Sequence, residues 1–105
     1  EFEKLTDAIS AELITQVNTK TNSIILFPVA LEYSVKNEHW FLLYFQENNY
    51  TKLYSVPLYQ ISNVLHFRQC KKDPPNNLSV KIHEIIESEK FADFDEFDLR
   101  RNSDA

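Results

Sequence analysis

A chain of 105 residues has room for one compact domain, and its apolar share of 43% and aromatic share of 13% suffice for a hydrophobic core. No apolar run nears the roughly 18–20 residues that span a bilayer, no basic-then-apolar leader is present, and a net charge of −5 lacks the basic footprint of a duplex-DNA binder. The complete absence of glycine excludes a P-loop and a dinucleotide-binding fingerprint, because both need backbone to approach phosphate with no side chain between.

In chain order, Leu5, Ala8 and Ile9 recur at helical spacing and predict a short helix over about residues 4–11. Leu13–Val17 reads as a first strand, closed by the polar run from Asn18 to Asn22. The second strand runs Ile24–Phe27, is bulged or interrupted at Pro28, and continues from Val29 to Tyr33. After a turn at Lys36–Glu38, Trp40–Phe45 is apolar on both faces, the pattern of a buried central strand with Trp40 and Phe41 in the core. Tyr50–Val56 is the fourth strand, Pro57 breaks it, Leu58–Ile61 fits a single 3₁₀ turn, and Val64–Phe67 supplies a fifth strand. With no glycine to take positive φ at the turns, asparagine is the expected substitute at Asn22, Asn37, Asn48–Asn49 and Asn76–Asn77.

Residues 70–77 have the composition of a linker, with Pro74-Pro75 at its centre. Beyond them Ile82, Ile85 and Ile86 predict a helix over about 79–88. The tail Phe91–Leu99 alternates phenylalanines with acids. Residues 1–79 carry eight acids and seven bases, whereas residues 80–105 carry eight acids and four, so the acidity lies in this tail. Its phenylalanines suit wrapping back over an open sheet edge; docking on a partner is the alternative. The organisation is therefore a β domain with an N-terminal helix over 4–69, a linker over 70–77, and a C-terminal helix with an acidic aromatic tail over 78–105. Five short strands joined by tight turns make a small barrel or a strongly curled sheet.

The chemistry-bearing residues are sparse. His39, His66 and His83 have no carboxylate or cysteine at metal-ligand spacing, so neither a metal nor another cofactor is expected. The single Cys70 has no disulfide partner, which favours a reducing cytoplasm, and reads as an ordinary loop thiol. No nucleophile and base stand out, so an enzyme is not the expectation. The tyrosines Tyr33, Tyr44, Tyr50, Tyr54 and Tyr59 either fill the barrel or offer faces on which bases stack. With no methionine to begin it, the chain is expected to be a piece of a larger protein, and the lone cysteine makes an intracellular one the expectation.

Phe27-Pro28-Val29-Ala30-Leu31-Glu32-Tyr33, Trp40-Phe41-Leu42-Leu43-Tyr44 and Lys52-Leu53-Tyr54-Ser55-Val56 leading to Gln60-Ile61, with Ala8-Ile9 before the first strand and Phe97-Asp98-Leu99 near the end, together resemble a WYL domain. The resemblance implies a five-stranded SH3-like or Sm-like barrel preceded by a helix, attached in larger proteins to a DNA-binding helix-turn-helix domain of bacterial transcription or defence-associated regulators. It implies a ligand-sensing pocket for a nucleotide-like or single-stranded nucleic-acid ligand, here lined by Tyr44, Lys52, Tyr54, Ser55 and Gln60, with duplex DNA contacted only through a domain outside this chain. Of three basic positions in the family pattern, Lys52 stands at the first, Ser55 at the second and Gln60 at the third. The two neutral replacements and the net charge of −5 support a second reading, a protein–protein interaction or homodimerisation module whose pocket has degenerated.

Overall fold

The computed structural model describes residues 2–47, 49–69, 76–93 and 96–99. Helix α1 (Phe2–Ala11) leads into five long strands, β1 (Leu13–Thr19), β2 (Ser23–Ser34), β3 (His39–Gln46), β4 (Asn49–Pro57) and β5 (Ile61–Gln69), with a 3₁₀ turn (Leu58–Gln60) between the last two. Helix α2 (Asn76–Ser88), a second 3₁₀ turn (Lys90–Ala92) and the short β6 (Glu96–Asp98) follow. All neighbouring strands are antiparallel, in the order β5-β1-β2-β3-β4-β6.

This order requires the sheet to curl. In a flat sheet β5 and β4 would lie four strand spacings, about 19 Å, apart. Yet only the 3₁₀ turn separates Pro57 from Ile61, and so short a segment spans at most about 14 Å even when extended. The five long strands therefore wrap into a small barrel of the expected class. Among the described residues β4 and β5 exchange no ladder bonds, and the outer edge of β4 pairs with β6 instead.

Curling gives the sheet two apolar faces, each with its own core. Inside, Leu5 from α1 joins Val17, Leu26, Leu42, Tyr44, Val56, Ile61 and Val64. Outside, Phe27, Phe41, Leu43, Phe45 and Leu53 are covered by Ile82, Ile85, Phe91 and Leu99 from the C-terminal segment. Strand β3 thus alternates between two buried faces, as its doubly apolar sequence predicts. Pro28 matters here. The register slips between Pro28 and Ala30 against β3, and that extra residue lets Leu26 and Leu31, five apart, both face the interior; an unbroken strand would point them to opposite sides. Proline has no N–H to lose from the ladder, which makes it a fitting residue at the slip.

Three expectations need correction. Trp40 is 41% exposed rather than part of the core, because the Tyr33–Trp40 rung lies near the hairpin end of the barrel, where Phe2 of α1 and Tyr33 are the rings that pack on it. Helix α2 begins at Asn76, so Asn76 and Asn77 belong to it rather than to a linker. Cys70, the remainder of that linker and Phe94 lie outside the described residues. Finally, among the described residues it is Glu12, Glu38 and Glu89, not asparagine, that take positive φ. Two of these follow the last residue of a helix, where the chain turns left-handed to end it; Glu12 N–H donates to Ile9 O at 3.3 Å and Glu89 N–H to Ile86 O at 3.2 Å. Asparagine works differently here: Asn49 Oδ1 accepts from Thr51 N–H at 3.0 Å and from Thr51 Oγ1 at 2.6 Å, opening β4 by side-chain bonding.

A left-handed residue with a Cβ costs about 1–2 kcal/mol, of which glycine's greater chain entropy would reclaim roughly half. Glu12→Gly is therefore expected to stabilise the domain by about 0.5–1 kcal/mol, raising the urea midpoint with an unchanged slope. A lower midpoint would mean that Glu12 contributes a contact that outweighs its backbone strain.

Candidate functional site

Strands β3 and β4 place Tyr44 directly opposite Tyr54, and their rings lie offset-stacked, with centroids 5.5 Å apart and planes 18° from parallel. Tyr44 is buried in the interior core, and Tyr54 is half-buried at its border. Over this pair opens a cleft of about 590 Å³, within the range of about 300–1,000 Å³ usual for small-molecule sites.

One wall of the cleft is the β1–β2 turn, with Thr19, Thr21, Asn22 and Ile24; the other is the end of β4 and its 3₁₀ turn, with Val56, Pro57 and Gln60. Both walls are locally fixed. Thr19 N–H donates to Asn22 O at 2.8 Å, and Thr19 Oγ1 accepts from Asn22 N–H at 3.0 Å. Gln16 Nε2 braces the same turn by donating to Ser23 Oγ at 2.8 Å. On the far side Pro57, at φ −66°, ends β4, and Ile61 N–H closes the 3₁₀ turn on Leu58 O.

Among the described residues the lining carries no carboxylate, amine, guanidinium, imidazole or thiol. What it offers is apolar area, a tyrosine pair, hydroxyls and amides, the equipment for stacking and neutral hydrogen bonding. The described residues contain no cluster of three or more potential metal ligands. His39 lies against the Tyr59 ring, with centroids 4.9 Å apart, and His83 pairs with Glu87 at 3.0 Å on the exposed side of α2. Burial raises the Glu32 carboxyl above its ordinary value. Glu32 stands opposite Phe41 in the ladder, and so on the outer face of the sheet, away from the cleft interior.

Of the five residues singled out from sequence, Tyr44, Tyr54, Ser55 and Gln60 border this one cleft, and Lys52 does not. Lys52 lies two residues before Tyr54, on the same side of β4 by strand alternation but beyond the rim. Ser55 points the other way: its Oγ donates to Phe91 O at 2.7 Å, so the hydroxyl serves the outer face. The wider tyrosine platform shrinks to one pair, since Tyr50 packs on Phe27 and Phe45, Tyr33 on Trp40, and Tyr59 on His39. Thr19, Thr21 and Asn22 were missed from sequence. They are distant in the chain, and only the wrapping of β2 beside β1 and β3 brings them to the tyrosines; the polar cluster Thr19-Lys20-Thr21-Asn22 was their one signal.

Comparisons with protein-family models, with curated proteins and with solved structures find no match to this chain. The WYL resemblance rests on the residues quoted for it.

Proposed function

We propose that this domain is a non-catalytic, ligand-sensing module of a larger bacterial transcription regulator or defence-associated regulator, and that its cleft receives the base of a nucleotide-like or single-stranded nucleic-acid ligand. The observation that carries the reading is the stacked Tyr44–Tyr54 pair in a cleft of ligand size whose rim is lined by hydroxyls and amides. Aromatic faces accept any base, and neutral donors and acceptors suit its polar edge. Lys52 lies beyond the rim on the same side of β4 and already has a partner, so a phosphate attached to such a base would compete for it. Because Ser55 and Gln60 are neutral, the base rather than the phosphate would supply most of the affinity. Occupancy could reach the rest of the parent protein through β4, since Ser55 ties the back of that strand to the C-terminal segment.

The test is anisotropy of a fluorescein-labelled, single-stranded pentanucleotide, with unlabelled nucleosides as competitors. Saturable binding is expected, and Tyr54→Ala should weaken it by about 1–3 kcal/mol, roughly 5- to 150-fold. Absence of saturable binding, or binding indifferent to Tyr54→Ala, would remove the reading. The second reading, an interaction module with a degenerate pocket, is favoured by one observation: the Ser55 hydroxyl, at a basic position of the family pattern, is committed to Phe91.

A further inference from the structure

Large apolar side chains left in solvent are unevenly placed. Phe2, Tyr33 and Trp40 are each exposed by 41–44% and join in one cluster: Phe2 meets Trp40 edge-to-face at 5.0 Å, and Tyr33 meets the same indole at 5.5 Å. None of the three lines the cleft. They combine the start of α1 with the β2–β3 hairpin, at whose tip Val35 is 71% exposed. Contiguous exposed aromatics of this kind mark interaction surfaces, because tyrosine and tryptophan bring large contact area at low entropic cost.

The charges beside the patch say which partner fits. Glu3 follows Phe2 directly and Glu38 precedes Trp40 by two residues; both are exposed, and neither has an ion-pair partner among the described residues. The lysines nearby are engaged, Lys36 with Asp93 and Lys4 with another group. The patch therefore presents aromatic faces with uncompensated negative charge beside them. A phosphate backbone is repelled by that combination, and a second copy of this chain would bring the same acids against themselves. An arginine satisfies both features, since its planar guanidinium stacks on indole or phenol while pairing with a carboxylate.

We propose that the Phe2–Tyr33–Trp40 surface docks an arginine-bearing segment of a partner protein. The surface is separate from the cleft, and the proposal stands whether or not the cleft takes a ligand. Trp40 is the sole tryptophan of the chain, so its emission reports on this surface directly.

The experiment titrates the 105-residue chain with octa-arginine, octa-lysine and an octameric single-stranded oligonucleotide at physiological salt. Tryptophan emission is read for the unmodified chain and anisotropy of labelled peptides for the variants. Octa-arginine should shift Trp40 emission saturably and bind at least about 5-fold tighter than octa-lysine, because stacking adds to charge for the guanidinium alone. Trp40→Leu, checked for folding by thermal melting, should abolish that preference. Glu3→Gln with Glu38→Gln changes only exposed side chains and should weaken octa-arginine while leaving the melt in place, so it decides the matter if Trp40→Leu fails to fold. Equal binding of the two peptides, or a folded Trp40→Leu that retains the arginine preference, overturns the proposal. So does a shift of Trp40 emission by the oligonucleotide, which would make this a nucleic-acid surface. A dimer in sedimentation that Trp40→Leu dissolves would overturn it in favour of self-association.

Discussion

Phe91→Ala is expected to lower the unfolding free energy by about 3–5 kcal/mol, the usual cost of emptying a buried phenylalanine site. Phe91 is 4% exposed and sets its ring edge-to-face on Phe41, with centroids 5.6 Å apart. Its carbonyl also holds the Ser55 hydroxyl. It sits among polar ties between the C-terminal segment and the β2–β3 hairpin: Ser34 Oγ donates to Glu89, Lys36 pairs with Asp93, and Asn37 Nδ2 donates to Ala92 O. The Lys36–Asp93 pair is largely exposed and worth about 0–1 kcal/mol at most, so the apolar cover is expected to dominate. Small domains hold only about 5–15 kcal/mol in all, so the variant should be partly unfolded well below the melting point of the parent. Chemical denaturation of Phe91→Ala beside Lys36→Ala checks this. A loss under about 1 kcal/mol for Phe91→Ala would show the segment to be a peripheral strap rather than half of a core.

That expectation bears on how much of the molecule could be read in advance. Five strands, a leading helix and a buried third strand follow from local patterns: alternation in β4, a doubly apolar run in β3, proline at the slip in β2. Periodicity is a property of neighbouring residues, and so it survives without a structure. What it does not carry is which element covers which face. The outer core pairs Phe41 and Leu43 with Ile85 and Phe91, residues forty to fifty positions apart, and nothing local in the C-terminal segment names that destination. Trp40 misled for a related reason. An indole in an apolar strand reads as core by composition, but its exposure depends on how far the Tyr33–Trp40 rung extends past the barrel. The cleft was half legible. Tyr44 and Tyr54 were named through the resemblance, and that they face each other is a matter of strand register, whereas the turn from Thr19 to Asn22 belongs to the site only through strand order.

Strand direction also decides where a positive charge could be added to the cleft. Gln60→Arg alone is expected to increase affinity for short single-stranded oligonucleotides by about 1.5–3 kcal/mol, roughly 10- to 150-fold, the worth of a charge-assisted hydrogen bond. Gln60 is exposed on the 3₁₀ turn at the cleft wall, so a guanidinium there stays solvated until a phosphate arrives and the fold carries no burial cost. Ser55→Arg does not help, although the WYL pattern that the sequence resembles has arginine at the matching position. Its side chain leaves β4 toward Phe91, and an arginine would break the 2.7 Å bond to Phe91 O and drive a cation against the outer core; it should destabilise without strengthening binding. The gain from Gln60→Arg must also be electrostatic in character. It should fade as salt rises, with one more phosphate neutralised adding about 0.7 to the logarithmic salt slope for a single strand, and it should be absent for an unphosphorylated nucleoside. Anisotropy titrations at two salt concentrations, with oligonucleotide and nucleoside side by side, separate these effects. If Gln60→Arg melts like the parent and still leaves oligonucleotide affinity unchanged, the cleft does not present a base with its phosphate toward the 3₁₀ turn. The interaction-module reading then takes precedence over ligand sensing.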